Sequence, residues 1–289
     1  MLLASRPKTL PAAVAPVVAG SALAWRTGGE FSWLLAWCTL LSTIAIQIAT
    51  NYFNDAVDAR KGADTDARLG PLRATAAGLI SPRGMLTAGV VMLAVAVLIS
   101  LPMVAARGWP VVAIGVVSLF FTYGYTGGPV PLAYRGLGDL FVLLFFGLIA
   151  VSGTVFVQTG EWRREALLLG AQIGMLSTVL IAINNLRDRE EDSRSSKRTL
   201  AVRFGVRFAK VEIAILCLGP YVLGWFWSGF GLPLAGMWTL GAAWIGAGVA
   251  VMVGKTPPGR IYNKFLALSA AHLMLWTLLF TAAMLLWAC

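Results

Sequence analysis

The sequence has little charge for its length. Asp, Glu, Lys and Arg make up 12% of its 289 residues, which is about half the fraction found in soluble domains. Hydrophobic residues make up 58%, and apolar stretches of about 20 residues, long enough to cross a hydrocarbon core, recur along the chain. These proportions exclude a soluble globular enzyme and predict an all-α membrane protein with many spanning helices.

Cysteine and histidine are scarce. Cys38, Cys217 and Cys289 lie in or beside apolar segments without paired spacing, which excludes a disulfide framework and a cysteine-based zinc site. The single histidine, His272, lies inside a predicted span, where a hydrogen bond to a neighbouring helix is its ordinary role. The sequence has no Walker A pattern, dinucleotide fingerprint or HExxH pattern, and it lacks the DG…AR…G…D…D pattern of lipid-headgroup phosphotransferases.

The hydropathy pattern predicts nine membrane spans in a single domain that covers residues 1–289. The spans are Leu10–Trp25, Trp33–Phe53, Met85–Ala106, Trp109–Tyr125, Leu140–Gln158, Ala166–Leu186, Val211–Trp227, Leu232–Val253 and Phe265–Trp287. The first and fourth are short. No cleavage site follows the basic N-terminus, so the first apolar stretch is expected to remain as a span.

The basic residues are unevenly divided between alternate loops. All but four of the 23 Lys and Arg residues fall on one side of the predicted spans; the exceptions are Arg26, Arg107, Arg163 and Arg164. Because cytoplasmic loops are rich in Lys and Arg, the pattern predicts a cytoplasmic N-terminus and a periplasmic C-terminus. The net charge of +10 therefore indicates membrane topology and no nucleic-acid binding.

Two polar motifs follow the second and sixth spans on the predicted cytoplasmic side. The first is NDAVDARKGADTDARLGPLR at 54–73, and the second is NNLRDREEDSRSSKRTLAVR at 184–203. Residues three and four apart share a face of an α-helix, so each motif forms a polar stripe. The stripes are Asn51, Asn54, Asp55 and Asp58, and Asn184, Asp188, Glu191 and Asp192. Oxygen ligands of this kind favour Mg²⁺ shared with substrate phosphates, although solvated helix ends paired with Lys and Arg are an alternative reading.

Cations surround both stripes. They are Lys61, Arg68 and Arg73 after the first, Arg187, Arg194, Lys197 and Arg198 around the second, and Arg6 and Lys8 before the first span. Arg binds phosphate through two parallel hydrogen bonds, and Lys adds a compact charge. The positive-inside rule is the alternative explanation for each of them.

A third loop on the same side, YTGGPVPLAYRGLGD at 125–139, is rich in glycine and proline. It contains four polar or aromatic candidates: Tyr125, Tyr134, Arg135 and Asp139. The composition predicts a structured cap over a cavity, and interfacial anchoring is the alternative role of the tyrosines.

At these loops the chain resembles the UbiA superfamily of intramembrane aromatic prenyltransferases. The resemblance covers most of the chain, including RPKTLPAAVAPVVAGSALA at 6–24 and FFGLIAVSGT at 145–154. The blocks NNLRD…KRTLAV and PLAYRGLGD are the most specific, and they resemble the branch that acts on 1,4-dihydroxy-2-naphthoate. Two positions depart from the pattern: Gly62 occupies an acidic position, with Asp64 as its expected substitute, and Ser196 stands where glycine is expected before Lys197.

The resemblance implies nine helices around a central cavity and a Mg²⁺-dependent transfer of a polyprenyl group in the bacterial inner membrane. The polyprenyl diphosphate would place its tail among the helices and its diphosphate on Mg²⁺ held by Asn54, Asp58, Asp188 and Asp192. The expected catalytic residues are Asp58, Asp188, Asp192, Lys61, Tyr125 and Tyr134, with the tyrosines stabilising an allylic cation. The expected substrate-binding residues are Lys8, Asn54, Asp55, Asp64, Arg68, Arg73, Arg135, Asp139, Asn184, Asn185 and Lys197.

The acceptor implied by the resemblance is 1,4-dihydroxy-2-naphthoate, which would lose its carboxylate as CO₂ to give demethylmenaquinone. Other aromatic acceptors, 4-hydroxybenzoate, homogentisate or haem, would use similar diphosphate machinery. A cation-coupled or proton-coupled transporter is a further alternative, but transporter sites usually lie near the bilayer midplane. The charges here cluster at one rim.

Overall fold

The computed structural model of the chain describes residues 1–61, 69–70, 73–128 and 131–286. Within this part of the chain the regular elements are helical, and there is no β-strand. The helices are α1 Pro11–Thr27, α2 Trp33–Arg60, α3 Pro82–Arg107, α4 Trp109–Gly124, α5 Gly138–Thr159, α6 Arg164–Arg187, α7 Arg189–Arg194, α8 Leu200–Phe230, α9 Pro233–Lys255 and α10 Tyr262–Leu286. Helix α5 contains a π-helical stretch, Leu143–Ile149.

Seven of the helices in the described ranges are long and apolar enough to cross a membrane: α2, α3, α5, α6, α8, α9 and α10. Helices α1 and α4, with 17 and 16 residues, lie at the first and fourth predicted spans and are shorter. The prediction of an all-helical membrane protein is therefore confirmed, and the count of nine spans stays a prediction. Helix α2 continues to Arg60, past the predicted end at Phe53, so the first polar stripe is helical.

Local side chains set several helix ends. Ser32 precedes α2, Ser81 precedes α3 and Thr199 precedes α8. Each hydroxyl accepts a hydrogen bond from the backbone N–H three residues later, which satisfies a donor that the helix itself leaves unpaired. Helix α5 ends at Gly160, whose φ of 76° is the left-handed conformation that glycine adopts most easily.

Helices α5 and α6 pack backbone against backbone. A Cβ atom on Gly147 would collide with the carbonyl oxygen of Gly170 and lie 2.6 Å from the Cα of Gly174. Glycine at these positions is required because any side chain would push the two helices apart. The close contact fixes α5 against the well-buried α6, and α5 carries several aromatic side chains of the site described below.

The buried core lies mostly in the second half of the chain. One cluster joins α1, α6 and α10 through residues such as Leu23, Ile173 and Trp276, and a second joins α6, α8 and α10. The hydroxyl of Tyr221 on α8 lies 2.5 Å from Nε2 of His272 on α10, as expected for a histidine that links two helices. Helices α3 and α4 bury few residues and expose Val and Leu side chains, which suits contact with lipid.

Candidate functional site

The polar stripe of the first motif occupies the last turns of α2. Asp58 is only 6% exposed; its Oδ2 accepts a hydrogen bond from Nη2 of Arg73 at 3.0 Å, and its Oδ1 accepts one from the Tyr134 hydroxyl at 3.0 Å. One turn earlier, the Oδ1 of Asn54 accepts a hydrogen bond from the Thr126 hydroxyl. The glycine-rich third loop, which carries Tyr134 and Thr126, therefore closes over the first motif, as the sequence predicts.

Asp55 has a different environment from the rest of the stripe. Its two carboxylate oxygens accept hydrogen bonds from the backbone N–H groups of Ala74 and Thr75, at 3.2 and 3.1 Å. The side chain is fully buried and lies outside the cavity lining. In this geometry Asp55 fixes the segment that carries Arg73, and this segment places Arg73 in its ion pair with Asp58.

The second motif begins in the last turn of α6. Arg187 grips the next residue, Asp188, with two hydrogen bonds: Nε to Oδ1 at 2.7 Å and Nη2 to Oδ2 at 2.6 Å. Its Nη2 also donates to Oδ1 of Asn184 at 2.7 Å. Bidentate pairs of this kind are strong and fix the orientation of the carboxylate. Both charged side chains are buried, so Arg187 is the counter-ion of Asp188 within the same motif.

Asp192 and Lys197 are brought together by the end of the short helix α7. Ser196 has a φ of 59°, and the backbone N–H of Lys197 donates to the carbonyl of Asp192 at 2.9 Å, which is the hydrogen bond of a left-handed helix cap. The chain therefore turns back, and Nζ of Lys197 lies 3.3 Å from Oδ1 of Asp192. Glycine was expected at position 196, and the positive φ supplies the physical reason for that expectation.

The two motifs meet around Lys197. Burial opposes the charge on Lys197, but the attraction of three carboxylates outweighs it and holds the pKa of Lys197 above its ordinary value. Those carboxylates are Asp192, Asp58 and Asp188. Burial raises the pKa of Asp192 to about 6, with Lys197 opposing the shift and the other two carboxylates adding to it. Residues far apart in sequence thus share one electrostatic field.

A cavity of about 190 Å³ lies at this junction. Eight of the residues predicted to form the site line it: Lys8, Asn54, Asp58, Arg73, Tyr125, Asn184, Asn185 and Lys197. We call this space the rim cavity.

Other predicted residues lie beside the rim cavity or away from it. Lys61 donates to the carbonyl of Thr126 at 2.8 Å, and its Nζ lies 3.9 Å from the centre of the Tyr134 ring. Burial lowers the pKa of Lys61, and Asp58 opposes that shift. Asp139 accepts hydrogen bonds from Nδ2 of Asn185 at 3.3 and 3.4 Å, Arg135 is exposed, and Asp64 and Arg68 lie outside the described residues.

An apolar cavity of about 210 Å³ adjoins the rim cavity. Helices α2, α3, α4 and α5 line it, and we call it the tail cavity. The two cavities share five lining residues: Gln47, Thr50, Tyr125, Phe141 and Phe146. A charged cavity and an apolar cavity therefore lie side by side, with these side chains between them.

Aromatic rings concentrate at this junction. Phe141 stacks on Phe145 with ring centres 4.1 Å apart, and it lies 5.1 Å from Phe121 and 5.4 Å from Tyr125. The sequence pattern indicates Tyr125 but not the phenylalanines, because apolar rings in a spanning helix resemble ordinary lipid-facing or core residues. The π-helical stretch of α5 that carries Phe145 has no clear sequence signal either.

The oxygen atoms of the two motifs are the candidate ligands for a divalent cation. In the described ranges, no group of three or more His, Cys, Asp and Glu side chains is arranged to hold a metal, since Arg73, Arg187 and Lys197 pair with the carboxylates. The donor set is nevertheless all oxygen, as Mg²⁺ prefers. Oδ2 of Asp192 is buried without a hydrogen-bond partner among the described residues, so the residues present fit Mg²⁺.

Known proteins give a consistent comparison. The model of the UbiA prenyltransferase family matches residues 13–270. The 1,4-dihydroxy-2-naphthoate octaprenyltransferase of Haemophilus influenzae is 37% identical over 220 residues, which cover 73% of this chain and 71% of that protein. The Mycobacterium tuberculosis protein of the same name is 40% identical over 202 residues, covering 70% and 68%.

The fold also has a solved counterpart. A UbiA homolog from Archaeoglobus fulgidus, whose structure was solved with GPP and Mg²⁺, superposes with a TM-score of 0.65 at 13% identity. The match covers 96% of this chain and 98% of the archaeal one. At this identity the likeness establishes the fold.

Proposed function

The chain belongs to the UbiA prenyltransferase family, and we propose that it transfers a polyprenyl group from a polyprenyl diphosphate to 1,4-dihydroxy-2-naphthoate. The observation that carries the proposal is that the charged rim cavity adjoins the apolar tail cavity across five shared lining residues. A charged space beside an apolar one matches an anionic head joined to an isoprenoid chain. The naphthoate acceptor follows the names of the relatives at 37% and 40% identity.

We assign the diphosphate to the rim cavity. Lys197, Arg73 and Lys8 line this space and would compensate the phosphate charges through charge-assisted hydrogen bonds. When bound, Mg²⁺ would be held by Asn54, Asp58, Asp188 and Asp192, and it would supply electrostatic stabilisation of the departing diphosphate. Two amide groups also line the rim cavity: that of Asn184 and that of Asn185, which is oriented by Asp139.

Transfer begins when the bond between the first prenyl carbon and the diphosphate oxygen breaks. The diphosphate leaves with the electron pair, and the growing negative charge is stabilised by the fixed cations of the rim cavity. The allylic cation left behind lies where Tyr125 and Phe141 line both cavities. The faces of these rings stabilise positive charge and exclude water.

The naphthoate then completes the reaction. A ring carbon of the acceptor attacks the allylic cation to form the new carbon–carbon bond, and the acceptor carboxylate leaves as CO₂. The products are diphosphate, CO₂ and demethylmenaquinone in its reduced form. Tyr134 holds Asp58 through its hydroxyl and contacts Lys61 through its ring, so we assign it a supporting role at the charged end of the site.

We further propose a single domain with nine spans in a bacterial inner membrane. Helices α1 and α4 would cross as the two shorter spans. The N-terminus and both polar motifs would face the cytoplasm and the C-terminus the periplasm, which agrees with the uneven distribution of Lys and Arg.

The test is a reconstituted transfer reaction. Purified protein in detergent is incubated with Mg²⁺, a radiolabelled polyprenyl diphosphate and one aromatic acid at a time. A lipid product that requires 1,4-dihydroxy-2-naphthoate and disappears with EDTA supports the proposal. Product formed only with 4-hydroxybenzoate, or only with homogentisate, would identify that acid as the acceptor. Ion flux without any product would favour a transporter.

Variants locate the reaction at the proposed site. Asp58→Ala and Asp188→Ala should abolish transfer while leaving membrane insertion intact. Glu161→Gln is the matched control, because Glu161 is exposed and pairs with Arg163 away from the site. Near-normal turnover in both aspartate variants would contradict the assignment of the two motifs.

A further inference from the structure

Asn263 lies outside both polar motifs, in the first turn of the last helix. Its neighbour Tyr262 is fully buried and donates a hydrogen bond to the carbonyl of Thr256 at 3.0 Å. The start of α10 is therefore firmly seated, and the Asn263 side chain projects from a fixed point.

The amide group of Asn263 makes contacts on both sides of the site. Its Oδ1 accepts a hydrogen bond from Nη1 of Arg187 at 2.7 Å. Its Nδ2 donates to the backbone carbonyl of Leu69 at 2.9 Å. Arg187 is the residue that binds both oxygens of Asp188, and Leu69 belongs to the part of the first motif that follows its polar stripe. One side chain thus connects the two halves of the site.

The Arg187 contact is the more demanding of the two. Arg187 is only 3% exposed, and its Nε and Nη2 already donate to both oxygens of Asp188 and to Asn184. Without Asn263, Nη1 would lose its acceptor in a buried place, where an unpaired donor is costly. The guanidinium would be expected to turn in search of an acceptor, and the Asp188 carboxylate would turn with it.

We propose that Asn263 is a positioning residue for the reaction, which sets the orientation of Asp188 and its distance from the part of the first motif that contains Leu69. This inference rests on the proposed function. A group that hydrogen-bonds a metal ligand directly typically changes metal affinity or activity by about 10–100-fold when it is removed. Asn263 acts one residue further out, because its side-chain hydrogen bonds within the described residues are to Arg187 and Leu69.

Two variants separate the contacts. Asn263→Asp keeps an oxygen acceptor for Arg187 but places a second oxygen against the Leu69 carbonyl, so it loses one contact. Asn263→Ala loses both. The control is Gln158→Ala at the opposite end of the bundle, where a buried amide similarly bonds both the N–H and the carbonyl of Ser32, at 3.0 Å each.

The measurements are Mn²⁺ binding by electron paramagnetic resonance, thermal unfolding, and kcat and KM for the prenyl donor, each scaled to folded protein. We expect Mn²⁺ affinity to fall about tenfold in Asn263→Ala, the lower end of the range for direct partners of a metal ligand, and by less in Asn263→Asp. Gln158→Ala should lower the unfolding temperature and leave Mn²⁺ affinity unchanged.

Wild-type Mn²⁺ affinity and kinetics in Asn263→Ala would overturn the proposal. A loss of Mn²⁺ affinity in Asn263→Ala no larger than the loss in Gln158→Ala would overturn it as well. A wild-type protein that binds Mn²⁺ and transfers the prenyl group, with Asn263 variants that do the same, overturns this inference alone. A wild-type protein that does neither overturns the proposed function together with it.

Discussion

Replacing Lys197 with methionine should affect stability, metal binding and turnover in different directions. Three buried carboxylates attract Lys197, and among the described residues each forms an ion pair: Asp58 with Arg73, Asp188 with Arg187, and Asp192 with Lys197. Lys197→Met keeps the approximate length of the side chain and removes one positive charge. Asp192 then loses its ion-pair partner, and Asp58 and Asp188 lose a nearby positive charge.

The stability loss follows from burial. Removing one partner of a buried ion pair costs about 3–5 kcal/mol. The Lys197 side chain is 18% exposed, so we expect about 3 kcal/mol, at the lower end of that range. For a protein of this size that corresponds to a fall in unfolding temperature of about 6–12 °C. The fall should be measured in EDTA, where no divalent cation can replace the missing charge.

Magnesium should restore more stability to Lys197→Met than to the wild type, because a divalent cation no longer competes with Lys197 for the carboxylates. Mn²⁺ should accordingly bind the variant more tightly. Turnover should fall, since Lys197 would compensate the diphosphate during bond cleavage. Lys197→Arg retains the charge and is the conservative control. Equal loss of stability with and without Mg²⁺, or weaker Mn²⁺ binding, would refute the proposed competition.

Three further predictions test separate parts of the site. Tyr134→Phe removes the hydroxyl that donates to Asp58 but keeps the ring beside Lys61, and kcat/KM should fall about 10-fold or more, since a hydrogen bond to a charged group contributes about 1.5–3 kcal/mol. Unchanged kinetics would limit Tyr134 to its ring contact. Gly153→Leu fills part of the tail cavity, so kcat/KM for long prenyl donors should fall about tenfold relative to GPP; an equal fall for all donors would place the tail elsewhere. Ser196→Gly removes the strain of a left-handed backbone, which costs a non-glycine residue about 1–2 kcal/mol. The greater flexibility of glycine in the unfolded chain offsets part of this, so the free energy of unfolding should rise by up to about 1 kcal/mol in thermal unfolding. Ser196→Val should lower stability, and the reverse order of the two variants would contradict this account.

The apolar helices and the polar stripes at their ends could be predicted from sequence because their signals are local. Apolar runs of sufficient length identify helices in a membrane protein, and NxxxD spacing places Asn54 and Asp58 on one helix face. The third loop was also identifiable, since glycine and proline with an interspersed tyrosine predict a turn-rich cap, and Tyr134 does contact Asp58.

Contacts between distant residues could not be predicted in the same way. Asp55 fits the polar stripe by spacing, yet its carboxylate binds the backbone of Ala74 and Thr75, because nothing in the stripe specifies which side faces the cavity. Asn263 lies in the first turn of α10, directly after a segment distinguished in sequence only by proline, glycine and basic charge. Its role depends on how α10 packs against α6, which no local pattern encodes.

The length of α4 shows a different limit of sequence patterns. Hydropathy marks an apolar run at Trp109–Tyr125, and the helix occupies it almost in full at 16 residues. Whether so short a helix crosses the bilayer depends on local membrane thickness and on its neighbours. Composition alone does not determine either.

The junction between the rim and tail cavities has a consequence for how the cycle ends. The proposed donor would occupy both spaces, because a single molecule carries both an anionic group and a hydrocarbon chain. After transfer, diphosphate would be held only in the rim cavity and the prenylated product mainly through its hydrocarbon chain, so each would be held less tightly than the intact donor. Departure of both products would then follow from the bond cleavage itself, and the emptied protein would accept another donor without a separate energy source.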